Sequence, residues 1–211
     1  PQIFVKYWIH NAMLNIGGKK MSKSLGNIFY IKDYLKKYSG EVLRLALLSG
    51  HYRQSLNWTD ESIDQAQSML NRLYRILKKV DYVEIKDDCV SDSVINCLCD
   101  DLNTPEALAA INKLANKLSK ETDISKLTIL KSKLLWSVNM LGILQESPDK
   151  WLGIGQTDES IDSNEIELLL NARKAARDSK AFSKADEIRD KLNNMGIEIE
   201  DTPDGTIWRT K

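Results

Sequence analysis

The sequence predicts a mostly α-helical protein that ends in a small α+β module. Between residues 59 and 144, apolar side chains recur at helical spacing in runs with short connections. Residues 197–209 predict two short strands on either side of the turn sequence "TPDG". The composition, 42% hydrophobic and 28% charged, is typical of a globular chain. We therefore predict four parts: residues 1–57, a helical bundle at 58–146, a linker at 147–162 and a C-terminal module at 163–211.

The first part combines extended segments with two short helices. Residues 3–9 ("IFVKYWI") predict a strand already under way, and residues 13–16 also look extended. Residues 17–27 form a polar loop. Apolar residues at helical spacing then predict a helix over 31–38. The run "EVLRLALLSG" predicts a second helix, which we expect to be buried because it is apolar on most sides.

Helix-capping residues mark the helices of the bundle. Thr59 precedes two acidic residues, so we predict that it caps a helix of about five turns. A shorter helix follows at 91–101. Thr104 and Pro105 have the residue types of an N-cap and a first helical position, and they predict the start of a third helix. A fourth helix is predicted at about 125–144.

The last two parts are a linker and a compact module. Proline, acidic residues and two glycines make the segment before residue 163 a linker. Helices are predicted at about 163–178 and 183–195, and Gly196 ends the second one. The two strands from residue 197 onward then form a hairpin. Spacing places the side chains of Ile188 and Leu192 on the inward face of the second helix.

Charge and cysteine content restrict the partners and the compartment. The net charge is zero, yet residues 1–57 carry nine basic and two acidic groups, which favours a phosphate or nucleic-acid partner nearby. A solvated lysine surface is the alternative. The chain has an odd number of cysteines, three, which favours free thiols and a cytoplasmic location. No apolar run predicts a membrane span, and no signal peptide is predicted.

The polar loop "GGKKMSKSLGN" carries the strongest chemical signal. Lys20 and Lys23 place two ammonium groups within a loop bounded by glycines. Such cations can close over a polyphosphate and stabilise the charge that grows on it as pyrophosphate leaves. An exposed basic turn without a ligand is the alternative, because lysines are mostly exposed in proteins.

The pentapeptide Lys20–Ser24 matches the KMSKS motif of class I aminoacyl-tRNA synthetases. The surrounding sequence resembles cysteinyl-tRNA synthetase from Phe4 to Arg209 in three stretches: "YWIHNAMLNIGGKKMSKSLGN", "GEVLRLALLSGHYRQSLNWT" and "ADEIRDKLNNMGIEIEDTPDGTIWR". This resemblance implies that residues 1–57 are the end of a nucleotide-binding catalytic domain with its stem-contact region. The later helices would then bind tRNA.

The resemblance also implies an activity and the residues that carry it. We expect the C-terminal part of a cysteine–tRNA ligase, with ATP, cysteine and cysteine tRNA as partners. The first nucleotide-binding motif and the zinc ligands of the family lie upstream of the matched segment, so we expect this chain alone to be inactive. Lys20 and Lys23 are the candidate catalytic residues. The candidate ATP-binding residues are Lys20, Met21, Ser22, Lys23, Ser24 and His10.

Metal ions are expected only with the intact enzyme. Mg²⁺ would accompany ATP, and Zn²⁺ would be held by ligands outside this chain. Cys97 and Cys99 point about 200° apart on a helix and cannot chelate one ion together. His10 has ordinary packing as its alternative role. Arg53 is open to two interpretations, a contact with a tRNA phosphate or an ion pair with an acidic residue of the bundle.

The C-terminal module is expected to read the anticodon. By resemblance, Arg177, Asp186 and Asp201 are candidate contacts, since carboxylates and guanidinium groups read base edges. A solvated surface pair of Arg177 with Asp186 is the alternative. Phe182 and Trp208 are candidate stacking platforms, although the hairpin core is the favoured place for Trp208.

Two other functions stay open at this point. A cysteine ligase that acylates an amino sugar would use the same loop, but it has no need of an anticodon-reading module. An RNA-binding module without catalysis is the second alternative. Whichever function applies, including that of the ligase, we expect a monomer.

Overall fold

Helices form most of the computed structural model, which confirms the predicted fold class. The chain separates into two units, residues 1–145 and 146–211, and each unit has its own buried residues. The finer division into four parts stays a prediction. The structure describes residues 4–87, 89–154, 163–179, 181–202 and 205–210.

A small three-stranded sheet opens the first unit. Strand β1 (Leu14–Ile16) lies in the middle, antiparallel to β2 (Lys19–Lys20) and parallel to β3 (Leu56–Trp58). The turn between β1 and β2 consists of Gly17 and Gly18, both at positive φ, where glycine avoids the Cβ penalty. Strand β3 was not predicted, because its partner β1 is some forty residues away in sequence.

The predicted strand at residues 3–9 is wrong for its described part. Residues 4–13 form no strand, and Phe4, Tyr7 and Trp8 are 91%, 85% and 71% exposed. A strand needs a hydrogen-bonded neighbour, and within the described residues none runs beside this segment. The chain is first held at Ala12, whose backbone N–H donates to the carbonyl of Tyr52 at 2.8 Å.

Two helices connect the sheet strands. Helix α1 (Ile31–Tyr34) is a single turn, shorter than predicted, and its apolar Ile31 is 69% exposed. Helix α2 (Gly40–Leu48) begins after Ser39, whose hydroxyl accepts from the N–H of Val42 at 3.4 Å. Val42, Leu43, Leu45 and Ala46 lie in the core, whereas Leu47 is 49% exposed, so the prediction of a helix buried on most sides is confirmed for these four residues only.

Four helices form the bundle that follows. Thr59 and Ser62 form a reciprocal capping box, so the predicted cap at Thr59 is confirmed. The predicted cap at Thr104 is wrong by one residue, because the side chain of Asn103 accepts from the N–H of Glu106. The last helix ends earlier than predicted, ahead of Gly142 at φ 65°. The helices are α3 (Asp60–Lys79), α4 (Asp92–Cys99), α5 (Thr104–Leu118) and α6 (Ile124–Met140).

A buried lysine joins α6 to the end of α3. Lys131 is only 7% exposed, and its ammonium group donates to the carbonyls of Val80, Asp81 and Val83 at 3.0, 3.2 and 2.6 Å. Burial lowers the pKa of Lys131, while the charge of Asp81 opposes that shift. A cation at the C-terminal end of a helix also interacts favourably with the helix dipole. Lys131 therefore caps α3 from outside that helix.

The second unit contains a helical hairpin and a β-hairpin. Its buried centre is formed by Ile166, Leu192 and Ile197, against which Ile188 packs, as its helical spacing predicts. Among the described residues of the chain, no helix is both long and apolar enough to cross a membrane. The elements are α7 (Pro148–Leu152), which lies within the predicted linker, α8 (Ser163–Asp178), α9 (Phe182–Asn194), β4 (Ile197–Thr202) and β5 (Gly205–Thr210).

Candidate functional site

The β1–β2 hairpin presents the loop of residues 20–27. After β2 the chain makes one turn of 3-10 helix at Lys23–Leu25. Gly26 then turns the chain back at φ 64°, and its N–H donates to the carbonyl of Lys23 at 3.2 Å. The loop thus returns close to its own start, where Asn27 contacts it.

Two asparagine side chains hold this loop through backbone groups. The side-chain carbonyl of Asn27 accepts from the N–H of Ser22 at 2.9 Å, and its amide group donates to the carbonyl of Lys20 at 3.3 Å. Asn57, on β3, accepts from the N–H of Gly18 at 2.7 Å. The sequence pattern singles out neither residue: asparagine beside glycine, as at Asn27, is common in ordinary turns, and Asn57 lies on a strand whose partner is distant in sequence.

The loop exposes both predicted cations to solvent. Lys20 and Lys23 are exposed, and no ion pair neutralises either one in the part of the chain that the structure describes. The hydroxyl oxygens of Ser22 and Ser24 lie 3.3 Å apart on the same loop, and Met21 is half-buried. Ammonium groups and hydroxyl donors in this arrangement can bind the oxygens of a polyphosphate.

His10 lies on the exposed segment that precedes β1. Its ring stacks on that of Trp8, with the centroids 6.2 Å apart and the planes 12° from parallel. The stacked pair remains exposed to solvent. The contact of His10 with ATP stays a prediction.

Arg53 forms an ion pair with the bundle. Its guanidinium group donates to both carboxylate oxygens of Asp101, at 2.6 and 3.1 Å, and the hydroxyl of Tyr52 donates to the same carboxylate at 2.6 Å. These bonds, first that of Arg53 and then that of Tyr52, lower the pKa of Asp101. Of the two roles considered for Arg53, the structure therefore shows the ion pair.

The turn that carries Asp101 has an uncommon backbone conformation. Asp101 and Leu102 lie at φ 51° and 53°, in the left-handed region that non-glycine residues rarely adopt. Such a residue costs on the order of 1 kcal/mol relative to ordinary backbone. The turn directs the carboxylate of Asp101 to the loop before β3, the strand that holds β1 and thus the candidate site.

A second charged cluster lies in the C-terminal unit. Asp201 accepts two bonds from Arg173, both at 2.8 Å, one from Arg177 and one from the hydroxyl of Thr206 at 2.8 Å. Arg173 is 8% exposed and was not predicted as a site residue. Bonding to Arg173 first, then to Thr206 and Arg177, holds the pKa of Asp201 well below its usual range. Arg177 thus pairs with Asp201, and Asp186 acts on Arg173 only through its charge.

The two aromatic candidates differ in burial. Phe182, the first residue of α9, is 62% exposed. Trp208 packs partly buried against the core of its unit, beside Ile197 and Leu192. This packing is the role that the sequence favoured for Trp208, and its use as a stacking platform stays a prediction.

Acid is expected to weaken the C-terminal unit through Asp201. A carboxyl whose pKa is depressed by folding stabilises the protein above its unfolded pKa of about 3.9, and this contribution is lost as the pH falls further. We expect calorimetric unfolding midpoints to drop between pH 5 and pH 2.5, and to drop less in Asp201→Asn. Asp190→Asn, an exposed position on α9, should follow the wild type. An equal drop of the unfolding midpoint in all three proteins would contradict this role of Asp201.

The described residues contain no group of three His, Cys, Asp or Glu side chains placed to hold a metal ion. The three cysteines are free thiols. The described part of the chain therefore does not fit a zinc ion, and no chemistry is assigned to one.

Three family models match successive segments of the chain. Residues 1–68 match the catalytic domain of class I tRNA synthetases of the cysteine type. Residues 93–145 match the DALR domain. Residues 163–209 match the anticodon-binding domain of cysteinyl-tRNA ligase.

Curated relatives match along almost the whole chain. A cysteine–tRNA ligase of Parvibaculum lavamentivorans is 44% identical over 206 residues, which cover 97% of this chain and 44% of the relative. One from Rhodospirillum rubrum is 43% identical over 210 residues, or 99% of this chain and 46% of the relative. One from a Caulobacter strain is 41% identical over 212 residues, with 99% and 46% coverage. The chain spans about half the length of these relatives, and it belongs to the cysteinyl-tRNA synthetase family.

Proposed function

We propose that this chain supplies the ATP-closing loop and the tRNA-reading part of a cysteine–tRNA ligase. The observation that supports this most directly is the loop of Lys20–Ser24, which offers two cations without an ion pair among the described residues, in a chain similar to such ligases over nearly its whole length. The intact enzyme would use ATP to activate cysteine and would pass it to the terminal ribose of cysteine tRNA. Because the rest of the catalytic domain is needed, the chain alone would not perform this reaction.

The loop would act in the first step of this reaction. The carboxylate oxygen of cysteine attacks the α-phosphorus of ATP, a new O–P bond forms, and the bond to pyrophosphate breaks. Negative charge grows on the leaving pyrophosphate, where Lys20 and Lys23 can stabilise it more strongly than in the ground state. We assign the larger share of this stabilisation to Lys23. Met21, Ser22 and Ser24 are proposed as further ATP contacts, with His10 beside the adenosine. Mg²⁺ would accompany the nucleotide.

The C-terminal unit would recognise the anticodon. Cysteine anticodons begin with G and C, and carboxylates and guanidinium groups fit the donors and acceptors of those bases. We propose that Arg177 and Asp201 contact bases as the pair described above, with Asp186 as an independent acceptor. Phe182 is the proposed stacking platform because its ring is exposed at the start of α9.

Two alternatives receive less support. A cysteine ligase for an amino sugar would not need the anticodon-binding domain that residues 163–209 resemble. A tRNA-binding module without catalysis would not need the cations of the loop. We further propose a monomer in the cytoplasm, and a zinc ion held by parts of the intact enzyme outside this chain.

Filter binding of tRNA to the chain tests the proposed anticodon contacts. We expect cysteine tRNA to bind about tenfold more tightly than a transcript with a substituted anticodon, the effect of one lost base contact. Asp186→Asn should reduce this ratio, because an amide no longer offers two acceptor oxygens to a cytosine amino group. Asp190→Asn, exposed on the same helix, should leave it unchanged. Equal affinity of the wild type for both transcripts would contradict the assignment.

A further inference from the structure

We propose that Asn27 and Asn57 are positioning residues that hold the KMSKS loop in the conformation that aims its lysines. The inference rests on the proposed function for its consequence, but the clamp itself is a property of this chain. The hydrogen bonds of both side chains go to backbone groups, those of Gly18, Lys20 and Ser22.

Asn27 closes the loop upon itself. Its amide group bonds the carbonyl of Lys20 and the N–H of Ser22, which lie on either side of Met21. A single planar side chain with one donor group and one acceptor satisfies both, which an ionised Asp or an Ala cannot do. The direction of the Lys20 side chain is thereby set by a residue seven positions later in the chain.

Gly26 makes this closure reachable. At φ 64° it turns the chain sharply after the 3-10 turn, so that Asn27 returns to the loop entrance. The space that a Cβ would occupy at Gly26 is open, so its backbone conformation, rather than crowding, requires glycine. The 3-10 turn that carries Lys23 thus lies between two fixed points, Ser22 and Asn27.

Asn57 fixes the other side of the loop to the sheet. It lies on β3 opposite Asn15 of β1, and it accepts from the N–H of Gly18 in the hairpin turn. The preceding loop carries Arg53, which is anchored to the bundle by Asp101. The entrance of the KMSKS loop is therefore tied to the bundle through β3, whereas Asn27 ties the interior of the loop to its own start.

Limited digestion of the chain with trypsin tests the clamp without requiring activity. Cleavage after Lys20 and Lys23 follows the fraction of open loop when opening is fast. Losing the two bonds of Asn27 in Asn27→Ala should raise this cleavage about fivefold. Asn11→Ala, an exposed position before β1, serves as the matched control and should cleave as the wild type does.

Cleavage after Lys113 on α5 reports whether the whole unit opens. A selective rise in the loop supports the clamp. An unchanged rate in Asn27→Ala overturns it, and so does an equal rise after Lys113, because the side chain would then support the unit as a whole. Asn57→Ala should raise cleavage after Lys19, at the hairpin turn, more than cleavage after Lys23.

The consequence for catalysis is measured in the intact enzyme by ATP–pyrophosphate exchange. We expect Asn27→Ala to lower kcat about tenfold and to change KM for ATP less than twofold, because a misdirected cation loses transition-state contacts first. Lys23→Ala should lower kcat by a smaller factor in the Asn27→Ala background than in the wild type. Fully additive losses overturn the positioning role. If Lys23→Ala leaves the exchange rate of the otherwise wild-type enzyme unchanged, the proposed function fails. The trypsin experiment would still show whether Asn27 holds the loop.

Discussion

Replacing Lys131 by methionine is expected to lower the free energy of unfolding of the first unit by about 3 kcal/mol. Methionine has nearly the same length and packs well, so the change removes the ammonium group and leaves most apolar contacts. Three backbone carbonyls, those of Val80, Asp81 and Val83, then lose their charged donor, and among the described residues only the carbonyl of Val80 keeps another donor, the N–H of Val83 at 3.0 Å. A buried carbonyl left unsatisfied costs roughly 1–3 kcal/mol, which applies to Asp81 and Val83, and methionine burial offsets part of that sum.

Chemical denaturation of the wild type and the variant measures this effect. Lys126→Met is the matched control, because its side chain lies exposed on the same helix and its loss should change stability by less than about 0.5 kcal/mol. Equal midpoints for Lys131→Met and the wild type would show that hydrophobic burial alone stabilises this junction. A large loss of stability in both variants would show that α6 tolerates no change of charge.

The helices could be predicted where the residues that define them lie close together in sequence. Contacts between residues distant in sequence could not be predicted. Thr59 was identified as a cap because the acidic residues that mark the first turn, Asp60 and Glu61, follow it directly, and its partner Ser62 is only three positions away. Asn103 was missed because Thr104, directly before Pro105, is also a residue type found at N-caps, and backbone geometry decides between the two positions. Lys131 was missed for another reason: a lysine on a helix is usually exposed, and its three acceptors lie about fifty residues earlier.

The candidate site divides in the same way. Lys20–Ser24 is a contiguous motif, so the residue types alone indicate its chemistry. Asn57 and the bond of Arg53 to Asp101 depend on which strand pairs with β1 and on a left-handed turn, and neither leaves a periodic signal in the sequence. Arg173 was missed because it resembles any other arginine of α8, although it is the one that binds Asp201 with two bonds.

Lys23→Ala in the intact enzyme is expected to reduce the rate of cysteine-dependent ATP–pyrophosphate exchange about a hundredfold. Lys23 is exposed and unpaired within the described residues, so alanine removes no ion pair and leaves no buried group unsatisfied. Stability should therefore stay within about 0.5 kcal/mol of the wild type. A loss of rate without a loss of stability would assign the effect to charge stabilisation in the transition state.

The form of the rate loss separates two roles for Lys23. A cation that acts mainly as pyrophosphate leaves lowers kcat and kcat/KM together, whereas one that only binds ATP raises KM at constant kcat. Lys37→Ala, an exposed lysine beyond α1, is the control for the general basic charge of this region and should retain full activity. If both variants lost activity equally through KM, Lys23 would be one of several steering charges. If only Lys23→Ala lost kcat, the 3-10 turn between Ser22 and Asn27 would hold the cation that the leaving group needs.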